Sequence, residues 1–128
     1  MILRPASIED LPALAELARR SFTDAFGHLY APEDLSAFLA SWRSPERIAG
    51  YIDNPDVGVM LAEDADALIE WAIGEAQARG CDAVQLSVFS ENFGAQRFYE
   101  RYGFKKVADI DFWVGNHRDD EFLYELAL

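Results

Sequence analysis

The chain has one cysteine, two histidines and no long apolar run. A lone Cys81 rules out an internal disulfide and any zinc site built from several cysteines. His28 and His117 stand too far apart for a metal-ligand spacing, so no metal is expected. Cys81 reads as a buried thiol, and without a Cys-x-x-Cys partner it gives little support to redox chemistry. Nowhere do about 18 apolar residues follow one another, the length a membrane span needs. Met1-Ile2-Leu3-Arg4-Pro5 meets a charge and a proline too early for a signal peptide. The expectation is a cytoplasmic protein with no membrane partner. Basic residues are scarce too: 11 Lys and Arg face 23 Asp and Glu, a net charge of -12. Such a balance repels polyphosphate backbones and argues against nucleic acid. It attracts cations, as an amine-binding cleft would, and it equally keeps a protein in solution.

What is present is the composition of a single domain, residues 1–128, with 51% hydrophobic and 27% charged positions. After a short Ile2-Leu3 strand, Ser7-Ile8-Glu9-Asp10 reads as a helix start, the Ser7 hydroxyl capping a free amide. Leu11, Leu14, Ala18, Phe22 and Phe26 then step by three or four along one face of a helix ending near Gly27. Pro32 to Trp42 and Pro45 to Ile52 read as two shorter helices opened by prolines, with Ser44 available to cap the second. Val57 to Ala62 reads as a strand and Ala65 to Arg79 as a helix stopped by Gly80. Ala83 to Phe89 alternates as a strand, Asn92 to Tyr102 forms a compact helix, and Phe104–Val114 with Glu121–Leu128 form a hairpin across a Gly115–Asp120 turn. The order predicts an α/β (α+β) domain around a mixed, mostly antiparallel sheet flanked by helices.

The stretch from Leu86 to Phe104 carries the chemistry. At 3.6 residues per turn, Asn92, Gln96 and Tyr99 share one stripe and Ala95, Phe98 and Tyr102 the next, the latter suited to packing on a sheet. Tyr99 can hold its hydroxyl toward the N-terminus of its helix, because helical side chains lean that way. A phenol there suits acyl transfer from a thioester. When an amine attacks the carbonyl a thiolate departs, and a hydroxyl of pKa about 10 can protonate that sulfur. Asn92 can donate to and accept from the amides of an extended cofactor arm. The plainer readings stand beside these: Asn92 is an excellent N-cap, and aromatics at helical spacing are more often core. Residues 79–106 hold Arg79, Arg97, Arg101, Lys105 and Lys106 against Asp82, Glu91 and Glu100, a basic stretch in an acidic chain that could attract a phosphorylated cofactor or be plain surface charge.

Asn92-x-x-Ala95-x-x-x-Tyr99-x-x-x-Gly103-Phe104, preceded by Leu86-Ser87-Val88, closely resembles the C-terminal signature of the GCN5-related N-acetyltransferase (GNAT) family. The likeness reaches both ends, through Ile2-Leu3-Arg4-Pro5-Ala6 with Ile8-Glu9-Asp10-Leu11 and through Phe112-Trp113-Val114-Gly115 with Phe122-Leu123-Tyr124-Glu125-Leu126. It implies an N-acetyltransferase that moves an acetyl group from acetyl-CoA to a primary amine by direct attack, without a metal. Tyr99 would protonate the CoA thiolate, and Asn92, Ala95, Phe98 and Tyr99 would lie along the cofactor. The acceptor, a small molecule or peptide, would lie against the helices around Phe22–Trp42 and the 114–120 loop. Asp119, Asp120 and Glu121 would favour a cationic acceptor or be solvated loop charges; His28 and His117 read as incidental. A homodimer is a guess from the fold alone.

The resemblance also implies two central strands and a glycine-rich turn, Arg/Gln-x-x-Gly-x-Gly/Ala, that cradles the CoA diphosphate. This sequence runs from Glu63-Asp64 straight into Ala65-Asp66-Ala67-Leu68. On the order of 30 to 40 residues are wanting near 62–65. The general base and the diphosphate-binding residues therefore have no candidates. The expectation is an omitted segment in an ordinary acetyltransferase, since a deletion would strip the first strands of their neighbours. The alternative is a degenerate GNAT-fold module that binds or assembles through exposed strand edges.

Overall fold

The computed structural model describes residues 3–62 and 64–128; Ile2 of the first expected strand, and Glu63 at the expected break, lie outside the described residues. The chain divides into two compact units, Met1–Leu68 with Val114–His117, and Ile69–Trp113 with Arg118–Leu128.

The first unit is mainly helical. Strand β1 (Leu3–Pro5) pairs antiparallel with β2 (Met60–Ala62), Arg4 opposite Leu61. The expected strand from Val57 is shorter, because Val57-Gly58-Val59 stays outside the ladder apart from the Val59 carbonyl, which accepts from Ala6 N–H at 2.7 Å. The expected helix from Ser7 opens as a single 3₁₀ turn, Ile8–Asp10, before α1 (Leu11–Phe26) begins. Asp10 organises that turn: its carboxylate accepts from Ser7 N–H at 2.8 Å and grips the Arg4 guanidinium through two bonds of 2.8 and 2.9 Å. The Arg4 bond, then the Ser7 amide, hold the Asp10 carboxyl well below the ordinary carboxylate range.

The five apolar residues expected on the inner face of α1 are all partly buried, and Ala15 on the same helix is buried. Helices α2 (Pro32–Trp42) and α3 (Pro45–Asp53) match expectation, and Ser44 Oγ caps α3 by accepting from Arg47 N–H at 3.2 Å. Phe38, Leu39 and Ile48 are buried. Phe22 stacks on Phe38 with ring centroids 4.4 Å apart, and the Arg43 guanidinium lies over both rings at 5.9 and 5.4 Å.

Helix α4 (Ala65–Ala78) starts in the first unit, and its remainder belongs to the second. It ends at Gly80, whose φ of +73° is the left-handed conformation expected there. Cys81, expected to be buried, is exposed, because it follows that glycine in the turn leading to β3 (Ala83–Phe89) rather than in an element. The three-stranded sheet has the order β3-β5-β4, with β4 spanning Lys105–Val114 and β5 His117–Ala127. The pair β3 and β5 is antiparallel, Leu86 opposite Tyr124 and Phe89 opposite Glu121. Helix α5 (Phe93–Arg101) follows β3.

The core of this unit gathers Ile69, Val88, Phe104 and Tyr124, with Val84, Leu86, Ala95, Phe98 and Tyr99 packed against it. Val84, Leu86 and Val88 share one face, as their period-two spacing predicts. The expected six-residue hairpin turn is only Gly115-Asn116. A two-residue turn suffices because Gly115 takes φ +59° at its first position, so residues 117–120 join the ladder instead of looping out. No described helix is long and apolar enough to cross a membrane. Among the described residues no group of three or more His, Cys, Asp or Glu could hold a metal ion.

Candidate active site

The site is best built from the end of β3. Strand β3 stops at Phe89, and Asn92 caps α5: its Oδ1 accepts from Ala95 N–H at 3.1 Å, and its own N–H donates to the Phe89 carbonyl at 3.0 Å. The capping reading of Asn92 therefore holds for its side-chain oxygen. Gln96, one turn on, donates through Nε2 to the Phe89 and Ser90 carbonyls at 3.1 and 3.0 Å. Three side-chain bonds thus fix how α5 leaves the strand, and with it the direction in which Tyr99 projects.

Tyr99 lies on α5 three residues after Gln96. It is partly buried and borders the core, its ring edge-on to Phe98 at 5.2 Å and to Phe104 at 5.8 Å. Among the described residues its hydroxyl has no hydrogen-bond partner, so the ring is gripped while the O–H is left uncommitted. Ala95 and Phe98 are partly buried against the same core, which is the packing role their spacing predicts. The Arg101 guanidinium covers Phe98 at 5.3 Å. Of the basic stretch, Arg79 pairs with Glu75 and Lys106 with Asp109, each at 2.8 Å, and Lys106 also lies 3.9 Å from the Phe122 ring centre. Two of the five cations of that stretch are thus matched by a neighbouring carboxylate.

The acidic residues of β5 differ from the solvated loop charges the sequence allows. Asp119 and Glu121 are 7% and 8% exposed and sit two apart on one face of the strand. Burial, opposed by a hydrogen bond with Ser87 and aided by the Asp119 charge, pushes the Glu121 carboxyl up. Asp120 points the other way, exposed and paired with Arg118 at 2.8 Å. The signal for this buried pair was the period-two run Asp119, Glu121, Leu123; drawing the turn too long hid it.

Within the first unit, Asp34 Oδ1 accepts from Asn116 N–H at 2.8 Å, and the rings of Tyr30 and His117 meet edge-on at 5.2 Å. The hairpin tip and the start of α2, two parts of the expected acceptor region, are therefore together. His28 lies exposed in the 3₁₀ turn Gly27–Leu29. At the N-terminus of α4, Asp64 Oδ1 accepts from Ala67 N–H at 2.8 Å, and Asp66 adds a second carboxylate in the first turn. The sequence-based expectation had attached no role to that cap.

Comparison with known proteins converges on one group. The acetyltransferase (GNAT) family model matches residues 65–104, the run from the start of α4 to Phe104 that holds Asn92 and Tyr99. An uncharacterized N-acetyltransferase of Lactobacillus delbrueckii subsp. lactis is 23% identical over 95% of this chain and 94% of its own length. One of Mycobacterium tuberculosis is 26% identical over 89% and 95%. The first match runs over 163 positions against 128 residues here, so at least 35 of those positions have no counterpart in this chain. Among solved structures, the PaiA N-acetyltransferase of Thermoplasma acidophilum in complex with coenzyme A shares the fold at a TM-score of 0.73 and 20% identity, covering 99% of this chain and 98% of that one. A GCN5-related N-acetyltransferase of Rhodopseudomonas palustris does so at 0.75 and 15%, covering 99% and 95%. The capped strand-to-helix junction and its tyrosine lie inside the segment that the GNAT family model matches, and over nearly its whole length the chain shares the fold of GNAT acetyltransferases.

Proposed function

We propose that this single GNAT-like domain transfers an acetyl group from acetyl-CoA to a primary amine by direct attack, with Tyr99 as the proton donor. The observation that carries the reading is the match of the family model across residues 65–104, inside which the α5 junction holds Tyr99 by its ring and leaves its hydroxyl uncommitted among the described residues. The thioester end of the donor fits the residues present. Asn92 spends its oxygen on the cap and keeps its Nδ2–H donors for a carbonyl of the donor's arm. The amine nitrogen forms a bond to the acetyl carbon, the carbon–sulfur bond breaks, and Tyr99 gives its proton to the leaving sulfur and is reprotonated from water. The proton lost by the amine passes to solvent or to a base that this chain does not identify. The acidic balance of -12 favours a cationic acceptor, and the helices around Phe22–Trp42 with the hairpin tip would receive it.

The diphosphate end does not fit. The α4 N-terminus, where the family resemblance puts that group, is capped and flanked by carboxylates. The match to the Lactobacillus relative runs over at least 35 positions without a counterpart here, which accords with a family segment wanting from this chain. These two observations favour a second reading, a GNAT-fold binding or assembly module without catalysis. The two readings separate on Tyr99→Phe, assayed with acetyl-CoA and a panel of primary amines. Acetyl transfer predicts that kcat falls about 10²-fold, the usual worth of a positioned general acid, with little change in KM for the donor. An active parent whose rate survives the substitution defeats the role of Tyr99, and an inactive parent leaves the module.

A further inference from the structure

We infer that Tyr124 of β5 is a positioning residue: its hydroxyl, bonded to Glu100, holds the last turn of α5 and so sets where the neighbouring Tyr99 presents its own. The inference rests on the proton-donor role proposed for Tyr99, and every residue it uses lies in the second unit. Helix α5 runs only from Phe93 to Arg101, too short to be stable alone. Its start is secured by Asn92 and Gln96, whereas Tyr99 stands in its last turn, where helices fray. There the backbone turns at once: the Tyr99 carbonyl accepts from Tyr102 N–H at 3.0 Å and from Phe104 N–H at 3.2 Å, and Gly103 takes φ +94°. Two tyrosine–glutamate bonds tie this end of α5 to its neighbours. The Tyr102 hydroxyl donates to Glu70 of α4 at 3.2 Å, and the Tyr124 hydroxyl donates to Glu100 Oε1 at 3.1 Å.

The second bond carries the inference, because each partner is out of place without the other. A carboxylate in the last turn of a helix faces the negative end of the helix dipole, so Glu100 by itself loosens that turn. Tyr124 belongs to the buried core with Ile69, Val88 and Phe104, where a phenol O–H left unbonded is costly. Joined, an exposed acceptor meets a buried donor, and a charge-assisted hydrogen bond ties the helix end to the middle strand of the sheet. Burial first, and then the bond to Glu100, push the Tyr124 hydroxyl up, so it remains a donor at neutral pH. The Tyr99 ring packs against the same core one residue before Glu100. Without the bond that ring keeps its burial but loses its fixed place, and a proton donor displaced from the departing sulfur costs rate rather than donor affinity.

The experiment compares Tyr124→Phe in two backgrounds, the parent and Tyr99→Phe, with kcat and the KM for acetyl-CoA measured well below the unfolding temperature of each variant. In the parent background kcat should fall about tenfold with KM within about twofold, the mark of a misplaced donor. In the Tyr99→Phe background the same change should leave kcat within about twofold, since no hydroxyl is left to place. Equal losses in both backgrounds, or no loss in the parent, overturn the inference. Glu100→Ala should match Tyr124→Phe, and Glu100→Gln, which still accepts through its side-chain carbonyl, should recover most of the lost rate. A Glu100→Ala variant with the full parental kcat overturns the inference as well. Should the parent transfer no acetyl group, the proposed function fails by itself, and the inference is read from the Tyr99 signal of protein labelled with carbon-13 at tyrosine Cζ, assigned by its loss in Tyr99→Phe. A shift or broadening of that signal in both Tyr124→Phe and Glu100→Ala supports it; a signal identical to the parent's in either variant overturns it.

Discussion

The two compact units hold themselves together by different means. The second is a helix-on-sheet core in which Ile69, Val88, Phe104 and Tyr124 are buried side by side, with Phe104 at 1% exposure. The first relies on a cluster of rings and cations: Phe22 on Phe38, Arg43 over both, and Arg47 4.3 Å above Trp42. Its sheet is two strands of three residues each, too little to stand alone. Burial is non-directional and tolerates no loss of volume, whereas ring and cation contacts are individually small and can be lost one at a time. The family match falls mainly on the second unit, from residue 65 to 104, so the sequence signature and the denser apolar core largely coincide.

The largest expected effect tests the core. Phe104→Ala removes a buried ring and should cost about 3–5 kcal/mol, read as a fall in the denaturant midpoint. Arg43→Leu in the first unit, which removes only the cation above Phe22 and Phe38, should cost about 1 kcal/mol or less. Equal losses would erase the contrast between the units.

A hinge of backbone geometry comes next. Gly115 takes φ +59°, and a Cβ there would lie 2.5 Å from Asp34 Oδ1 and 2.6 Å from Asp34 Cα. Gly115→Ala therefore meets both a strained dihedral, about 1–3 kcal/mol, and a clash with backbone. The expected result is a loss of thermal stability with weakened protection of the Asn116 amide, which Asp34 holds. Asp34→Ala, which removes only the acceptor, should cost less; a reversed order would show that the turn tolerates the side chain.

A smaller effect is expected at the α5 cap. Asn92→Ala leaves the Ala95 N–H without its acceptor and should cost about 1 kcal/mol. Asn92→Asp keeps the acceptor and should restore most of that stability while removing the Nδ2–H donors. If acetyl transfer is measured alongside, the aspartate variant separates capping from any part in holding the donor.

How much of this could be read beforehand follows from the kind of force at work. Helices α2, α4 and α5 and strand β3 were legible because prolines, Gly80, Asn92 and the alternation of Val84, Leu86 and Val88 are local signals. The 3₁₀ opening before α1 was not, because it depends on Arg4 reaching Asp10 six residues away. Cys81 was assigned by residue type, which says little about a position just past a helix-ending glycine. The buried pair Asp119 and Glu121 escaped because polar residues after a glycine read equally well as turn. Tyr99 and Asn92 were legible from a motif, but the edge-on meeting of the Tyr99 and Phe104 rings depends on the turn through Gly103, φ +94°, which brings Phe104 N–H to the Tyr99 carbonyl at 3.2 Å.

Two carboxylates, one in each unit, sharpen the contrast through opposite responses to pH. Arg4 and the Ser7 amide hold Asp10 below its ordinary value of 3.8, so the folded chain binds this proton less readily than the unfolded one. Its contribution to stability is present above that value and is lost as pH falls through the folded pKa. Glu121 is raised above its ordinary 4.5 chiefly by burial, so the folded chain keeps its proton longer. Stability therefore declines as pH rises from about 4.5 toward the folded pKa, where ionisation must occur against burial. Asp10→Asn should accordingly lose stability relative to the parent most at neutral pH and least in acid. Glu121→Gln, neutral at every pH and of the same size, should gain on the parent as pH climbs from 4 to 7. Melting temperatures of Asp10→Asn from neutral pH to well below 3.8, and of Glu121→Gln from pH 4 to 7, give the two slopes. Slopes of the same sign would mean that the burial of Glu121 is compensated by a partner stronger than Ser87, and that its carboxylate is stabilised in the fold.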